Sequence, residues 1–384
     1  MLTSSADAAV FNKIVKGVGT STLTLVSVLG GACLPLSAAS AGETRGFVVD
    51  WFHVATAYVE ANCPDGLNPL SDEFYKRELR RLGYDNTEVE ELMKDFPNGG
   101  YIPVTTMRGR VNGEPVNVYA NPWTQPDPEL KPVKGSRGFG FNLDGKNGTE
   151  DFVDPVSGET GVDNQMYRAL GCIQNFAFHA PDLPIYPFAQ WDLTRDTAPA
   201  WLIEIRDIDD LQNDDDVTII IDKSVDTIER DTNGDALADM TLRVDPNSRS
   251  RTVVKGSIEN GVVSTTTFES SLEADPMLLP LFEFKGARFR LALNEDGSAQ
   301  GILGGYQPWE PLYWSYAQGA WIVEHSAGID IPGVYYALKK HADADPDPQT
   351  GENKSISTAW WVDAQPAIIV YPENAKTAGV VGAQ

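Results

Sequence analysis

The sequence predicts an α+β protein that is mainly antiparallel β, a sandwich-like meander with a small N-terminal helical lobe. Three observations carry that expectation. From about residue 201, short runs of alternating or β-branched apolar residues are separated by tight turn signals such as Glu259-Asn260-Gly261 and Asp296-Gly297. Helix-period stripes with capping residues fall before residue 200. The 34 glycines and 25 prolines suit many turns better than a helical bundle. With 384 residues, 42% of them apolar, the chain can bury a large core. It divides into an export segment over 1–41, a loop-rich mixed α/β lobe over 42–200, and a β-rich body with an aromatic end over 201–384.

The elements follow in order. Lys13 and Lys16 precede an uncharged run over 18–36, and Ala39-Ser40-Ala41 supplies a small-residue cleavage pattern. That is the layout of a signal peptide, so the mature chain is expected to start near Gly42 in a secreted or periplasmic location. No later stretch is long and apolar enough to span a bilayer. Residues 46–60 predict a buried strand. Ser71 is the expected N-cap of a helix reaching about Leu82, and Thr87 with Glu90 forms a capping box for a second helix reaching about Phe96. Residues 97–160 are rich in Gly, Pro, Asn and Asp and read as loop with very short strands. Asp163 is expected to cap a helix with Met166, Leu170 and Ile173 on one stripe and Cys172 inside it. Once the export segment is removed, Cys63 and Cys172 are the cysteines left, and a pair in an oxidising compartment predicts a disulfide.

Beyond residue 200 the expected strands are 201–206, 217–221, 241–244, 251–258, 262–268, a run carrying Phe289, Leu291 and Leu293, 299–303, 356–362 and 367–371. Tyr306, Trp309, Tyr313, Trp314, Tyr316 and Trp321 crowd one segment, and 333–342 reads as a short helix.

Charge narrows the function. The chain has 55 acidic against 30 basic residues, a formal net charge of −25. Such a field repels nucleic acid and anionic membrane surfaces and attracts divalent cations. The sharpest chemical signal is Asp231, Asn233, Asp235, Leu237 and Asp239. Side-chain oxygens stand at loop positions one, three, five and nine, and the backbone carbonyl of Leu237 is available at seven. Alternating hard oxygen donors on a short loop suit calcium. The loop resembles the aspartate-rich calcium loops of dockerins and thrombospondin type 3 repeats. The resemblance covers about a dozen residues, so it implies a metal and no activity. Ala236 stands where a turn glycine is usual, and Leu242 where an EF-hand has its bidentate glutamate.

A second candidate cation loop is Asp343, Asp345 and Asp347. Asp144, Asn147, Glu150, Asp151 and Asp154 form a looser acidic group, and 207–216 reads as a charged edge that resists sheet aggregation. Catalytic signals are thin. Glu324-His325-Ser326-Ala327-Gly328 echoes a nucleophile elbow but lacks its first glycine. His53, His179, His325 and His341 are scattered and read as packed or surface residues. Trp309, Glu310, Tyr313 and Trp314 could line a carbohydrate groove. The expected function is an exported, acidic, calcium-binding protein, a non-enzymatic binding or structural module with a glycan or cell-surface partner. The alternative is a secreted hydrolase of glycans or esters.

Overall fold

The computed structural model describes residues 42–56, 60–94, 109–177, 191, 195, 197–274, 279–319, 323, 324 and 328–372. The expected export segment, His179, Trp321, His325, Ser326 and the chain after Pro372 lie outside the described residues.

Strand β1 (Glu43–Val54) is followed by helices α1 (Ser71–Arg81) and α2 (Asn86–Met93). The hairpin β2 (Gly109–Val111) and β3 (Glu114–Val116), the short pair β4 (Phe152–Val153) and β5 (Thr160–Val162), and helix α3 (Gln165–Leu170) complete a lobe. Then come β6 (Trp201–Ile208), β7 (Asn213–Lys223), β8 (Met240–Arg243), β9 (Thr252–Glu259), β10 (Val262–Thr265), β11 (Phe268–Glu273), β12 (Leu281–Leu293) and β13 (Ala299–Pro308). Helices α4 (Trp309–Ala317) and α5 (Ile331–His341), then β14 (Ala344–Pro346) and β15 (Asn353–Val370), finish the chain.

Two facing sheets do not form. The strands run β1-β6-β7-β9-β10-β12-β13-β15, and β15 pairs back onto β1, so eight strands close into a barrel. Each neighbouring pair in the ring is antiparallel. Alternation decides which residues face in. Phe47, Val49, Phe52 and Val54 of β1, Ile203 and Ile205 of β6, Phe289 and Leu291 of β12, and Trp360 and Val362 of β15 share one apolar core. At its centre the Phe52 ring stacks on Trp360 at 5.0 Å and meets Trp201 and Phe282 edge-on at 4.8 and 5.4 Å. Tyr313 and Tyr316 of α4, Leu338 of α5 and Leu170 of α3 join the same core.

Several local expectations shift, each for a physical reason. Strands expected over 356–362 and 367–371 merge into the 18-residue β15. Pro366 is tolerated there because pairing with β13 stops at Ala364, so its missing N–H interrupts no bond on that side. Strand β8 runs parallel to β15, from Ala367↔Met240 to Val370↔Arg243, an exception to the antiparallel pattern. The capping box belongs to Asp85 and Glu88. Asp85 accepts from the amides of Thr87 and Glu88 at 2.8 and 2.9 Å, and Glu88 accepts from the Asp85 amide at 2.8 Å. A carboxylate is the stronger acceptor for the exposed amides, so it displaces the cap from Thr87. Leu70, without a side-chain bond, occupies the cap position of α1, which starts at Ser71. Asn164 caps α3 through the Tyr167 amide at 3.1 Å, and Cys172 lies just past the helix end at Gly171.

Cys63 and Cys172 form a disulfide, with Cα atoms 5.8 Å apart. It sits in a small core with Val133, Phe152, Val162 and Tyr167. The bond spans 109 residues. Replacing both cysteines by serine is expected to lower unfolding free energy by about 2–5 kcal/mol. Urea unfolding of wild type and double variant side by side measures this.

Candidate functional site

The 231–239 loop is fastened to the barrel at an irregularity in β1. Pairing of β1 with β15 slips between Val49 and Trp51, leaving Asp50 as a bulge. Bulges re-aim side chains, and this one turns Asp50 into a buried polar node. Arg195 donates to the Asp50 carboxylate; both side chains are at most 3% exposed. The guanidinium lies 3.7 Å over the Trp51 ring, and Trp191 Nε1 donates to the Asp50 carbonyl at 2.7 Å. Burial raises the Asp50 pKa, while Arg195 and the Ala236 amide pull it back. A buried carboxylate is held as an ion only by such partners.

Two further contacts of the node reach the loop. Arg195 donates to the Gly234 carbonyl at 2.5 Å, and the Ala236 amide donates to Asp50 Oδ2 at 3.2 Å. The Ala236 side chain is buried against a second apolar cluster with Val48, Leu202, Leu242 and Ala367. This explains alanine in place of the expected glycine: the left-handed residue is Gly234, with φ 91°, and position 236 needs a methyl group to pack. The Leu237 side chain is 37% exposed, because Ala236 takes the inward place.

Within the turn, Asp231 Oδ1 accepts from the amides of Asn233 and Asp235 at 2.7 and 3.1 Å. The Asn233 amide bond, foremost, holds the Asp231 pKa below the usual carboxylate range. Asp231 Oδ2 lies 3.1 Å from the Asn233 carboxamide. The Asp235 charge acts on Asp50, raising its pKa further. Asp239, at φ 60°, donates its amide to the Pro366 carbonyl of β15 at 2.6 Å. The fold therefore brings Asp231 and Asn233 side by side. Among the described residues no three His, Cys, Asp or Glu side chains gather as a ready-made metal cage.

The second candidate loop is spread apart. Asp345 accepts from Lys285 Nζ and Ser355 Oγ at 2.8 and 2.7 Å. Asp347 pairs with Lys354 at 2.6 Å and with the amides of Gln349 and Thr350, which holds its pKa down at about 2. Asp343 turns the other way, accepting from the Ser357 amide at 2.7 Å. There it meets part of the looser acidic group, joined by a residue that sequence reasoning treated as a helix cap. Asp163 accepts from the amides of Leu143 and Asp144 at 2.7 and 3.2 Å. Burial foremost pushes both Asp163 and Asp343 up to about 6, with Asp144 adding repulsion to each. The charges of Asp163, Asp343, Asp144 and Asp151 all reach Tyr306 and, after burial, raise its pKa. Asp154 instead pairs with Arg290 at 3.2 Å.

Other expected site residues fall into the core. Trp309, Tyr313 and Tyr316 are buried, and Trp314 keeps 44% exposure. Burial holds His53 and His341 down at about 4, aided at His341 by Lys340 and Arg168. Glu324 is buried and accepts from the hydroxyls of Tyr75 and Tyr119 at 2.9 and 2.5 Å. Asp50, Arg195 and Asp163 are the site residues that the sequence did not single out. A lone Asp in an apolar run, Asp50 between Val49 and Trp51, was the available signal.

No protein-family model matches the chain, and no curated protein or solved structure proved similar to it.

Two outcomes follow from these contacts. Asp50→Ala leaves Arg195 buried without its carboxylate and is expected to cost about 3–5 kcal/mol, whereas adding Arg195→Met recovers part of the loss. Denaturant titration of single and double variants measures both. The pH response has opposing parts. Between 3.8 and about 6 the folded chain keeps protons on Asp163 and Asp343 that the unfolded chain has released, so their contribution to stability falls as pH rises. Between about 4 and 6.5 the unfolded chain binds protons that His53 and His341 refuse, so their contribution rises with pH. Asp163→Asn with Asp343→Asn is expected to leave the histidine trend alone, giving melting temperatures that climb more steeply with pH than wild type. Melting curves across that range decide it.

Proposed function

We propose that this chain is an exported, acidic β-barrel protein that binds calcium at residues 231–239 and acts as a binding or structural module. One observation carries the reading. The turn is already bent with Asp231 folded over its own amides, its second oxygen faces the Asn233 carboxamide at 3.1 Å, and the turn is clamped to a buried ion pair. Rotating that carboxamide by half a turn exchanges its nitrogen and oxygen, which sets two oxygen donors side by side. The donor set fits calcium in kind: carboxylates, an amide oxygen and a main-chain carbonyl. Asp231 and Asn233 would hold the ion, with Asp235, Asp239 and the Leu237 carbonyl drawn in to complete the shell. The ion would supply charge neutralisation and rigidity. The Cys63–Cys172 disulfide suits an oxidising compartment, and β1 opens at Glu43, one residue past the expected cleavage point.

The test is thermal unfolding of chelator-treated protein with and without calcium, with magnesium as comparison. A ligand at a hundred times its dissociation constant stabilises by about 2.7 kcal/mol. A calcium-specific rise in melting temperature, abolished by Asp231→Ala, is expected. Absence of any rise, or a rise undiminished in that variant, rejects the site.

A further inference from the structure

The Gly-rich loop between β3 and β4 carries a chemical arrangement independent of any metal. Asn147 is followed by Gly148 on an exposed stretch. The Gly148 amide N–H donates to Asp151 Oδ2. Both carboxylate oxygens of Asp151 face Gly148: a Cβ built on that glycine would lie 3.0 and 3.1 Å from them. The Asn147 carboxamide has one backbone neighbour close by. It lies against Gly161 (φ 74°), where a Cβ would come within 2.8 Å of Asn147 Oδ1.

We propose that Asn147 is a self-modification site, converted to aspartate and isoaspartate through attack by the Gly148 nitrogen with Asp151 as general base. The steps balance with water as the only co-reactant. Asp151 takes the proton from the Gly148 amide. The nitrogen attacks Cγ of Asn147, a new N–C bond closes a five-membered imide, and the carboxamide C–N bond breaks. The leaving nitrogen departs as ammonia, carrying the proton that Asp151 returns. Water then opens the imide at either carbonyl. No electrons change hands. Glycine is required at the second position because it leaves the attacking nitrogen unshielded by a side chain and lets the backbone adopt the closing geometry.

The other described Asn-Gly pairs are arranged differently. Asn112 and Asn260 are fixed in left-handed turn positions, φ 52° and 53°. Gly261 donates its N–H to the Gln212 carbonyl at 3.0 Å. Gly234 donates to the Asp231 carbonyl at 3.2 Å with the Asp231 carboxylate also in reach, but the Asn233 carboxamide is tied to Asp231 Oδ2 and not free to turn toward the Gly234 nitrogen. A carbonyl accepts a hydrogen bond but does not take up the proton. Conversion at Asn147 therefore adds one carboxylate, and for isoaspartate one extra backbone bond, to the acidic lobe that already holds Asp144 and Asp151.

The experiment is ageing of the folded full-length protein in neutral buffer, with peptide mass spectrometry quantifying amide loss at Asn112, Asn147, Asn233 and Asn260 over time. Expected is conversion at Asn147 well ahead of Asn112, Asn233 and Asn260, and slowing by about a hundredfold in Asp151→Asn, the lower end of what a positioned base contributes. The denatured chain, aged in parallel, should lose the preference. Equal rates at all four sites in the folded protein overturn the proposal, as does an unchanged Asn147 rate in Asp151→Asn. Circular dichroism of that variant separates loss of the base from loss of fold.

Discussion

Closure of the barrel by β1 against β15 is the constraint on which the rest depends. Strand β1 is paired on both sides, with β6 and with β15, so neither end of the meander is left as an open edge. A ring of eight strands must bend more sharply than a flat pleat allows. The strain is relieved at named places. Register slips at Val49/Trp51, at Asp214/Val217 and at Lys285/Arg288. At Gly301 the backbone of β12 approaches so closely that a side chain would sit 1.9 Å from the Arg290 carbonyl. The slip in β1 exposes Asp50 to its buried partners. The residue that lets the ring close is thus also the residue that holds the 231–239 turn.

A closed barrel also dictates what its outer face must do. Besides the apolar residues of α3, α4 and α5 that join the main core, charged contacts fasten the lobe to the barrel wall. Arg288 and Arg290 stand over the Phe141 ring at 4.9 and 5.0 Å. They reach Glu159 at 3.1 and 3.5 Å, and Arg290 also reaches Asp154. A smaller apolar cluster with Phe139, Phe141, Ile302 and Ala359 sits at these contacts, and a separate one gathers around Ala236 and Leu242. The disulfide ties the lobe segment around Cys63 to the chain just past α3.

How much of this the sequence disclosed depends on distance along the chain. Local chemistry was legible: the Asn260-Gly261 hairpin joins β9 to β10, and the helices at 71 and 333 lie within two residues of expectation. The disulfide followed from counting cysteines. Closure was not legible, because Phe52 meets Val362 from the opposite end of the chain and alternation alone fits a sandwich as well as a ring. Two of the capping errors share one cause: near Asp85 and Asn164 several oxygen-bearing residues compete for the same amides, and geometry, not residue type, selects among them. The site was half legible. Asp231 and Asn233 announce themselves by spacing, but Asp50 and Arg195 come from separate segments, and Asp163 and Asp343, both within reach of the Asp144 charge, lie on segments joined through Ser357, whose hydroxyl accepts the Gln165 amide and whose amide donates to Asp343.

The excess of acid has a consequence for reading such turns. With 55 carboxylates and 30 lysines and arginines, ion pairing cannot satisfy every aspartate. Backbone amides take over. Asp127, Asp144, Asp231, Asp245, Asp296 and Asp347 each accept the amide of the residue two places on. This is the Asx turn, and it produces the same Asp-x-polar spacing that a calcium loop displays. Spacing alone therefore cannot separate a turn that only caps itself from one that holds an ion. The difference must lie in what the turn is attached to. At 231–239 the carbonyl of Gly234 and the amide of Ala236 lead into the Arg195–Asp50 pair, and the amide of Asp239 leads into β15. An ion held at Asp231, as proposed, would therefore be fastened through this turn to both strands that close the barrel.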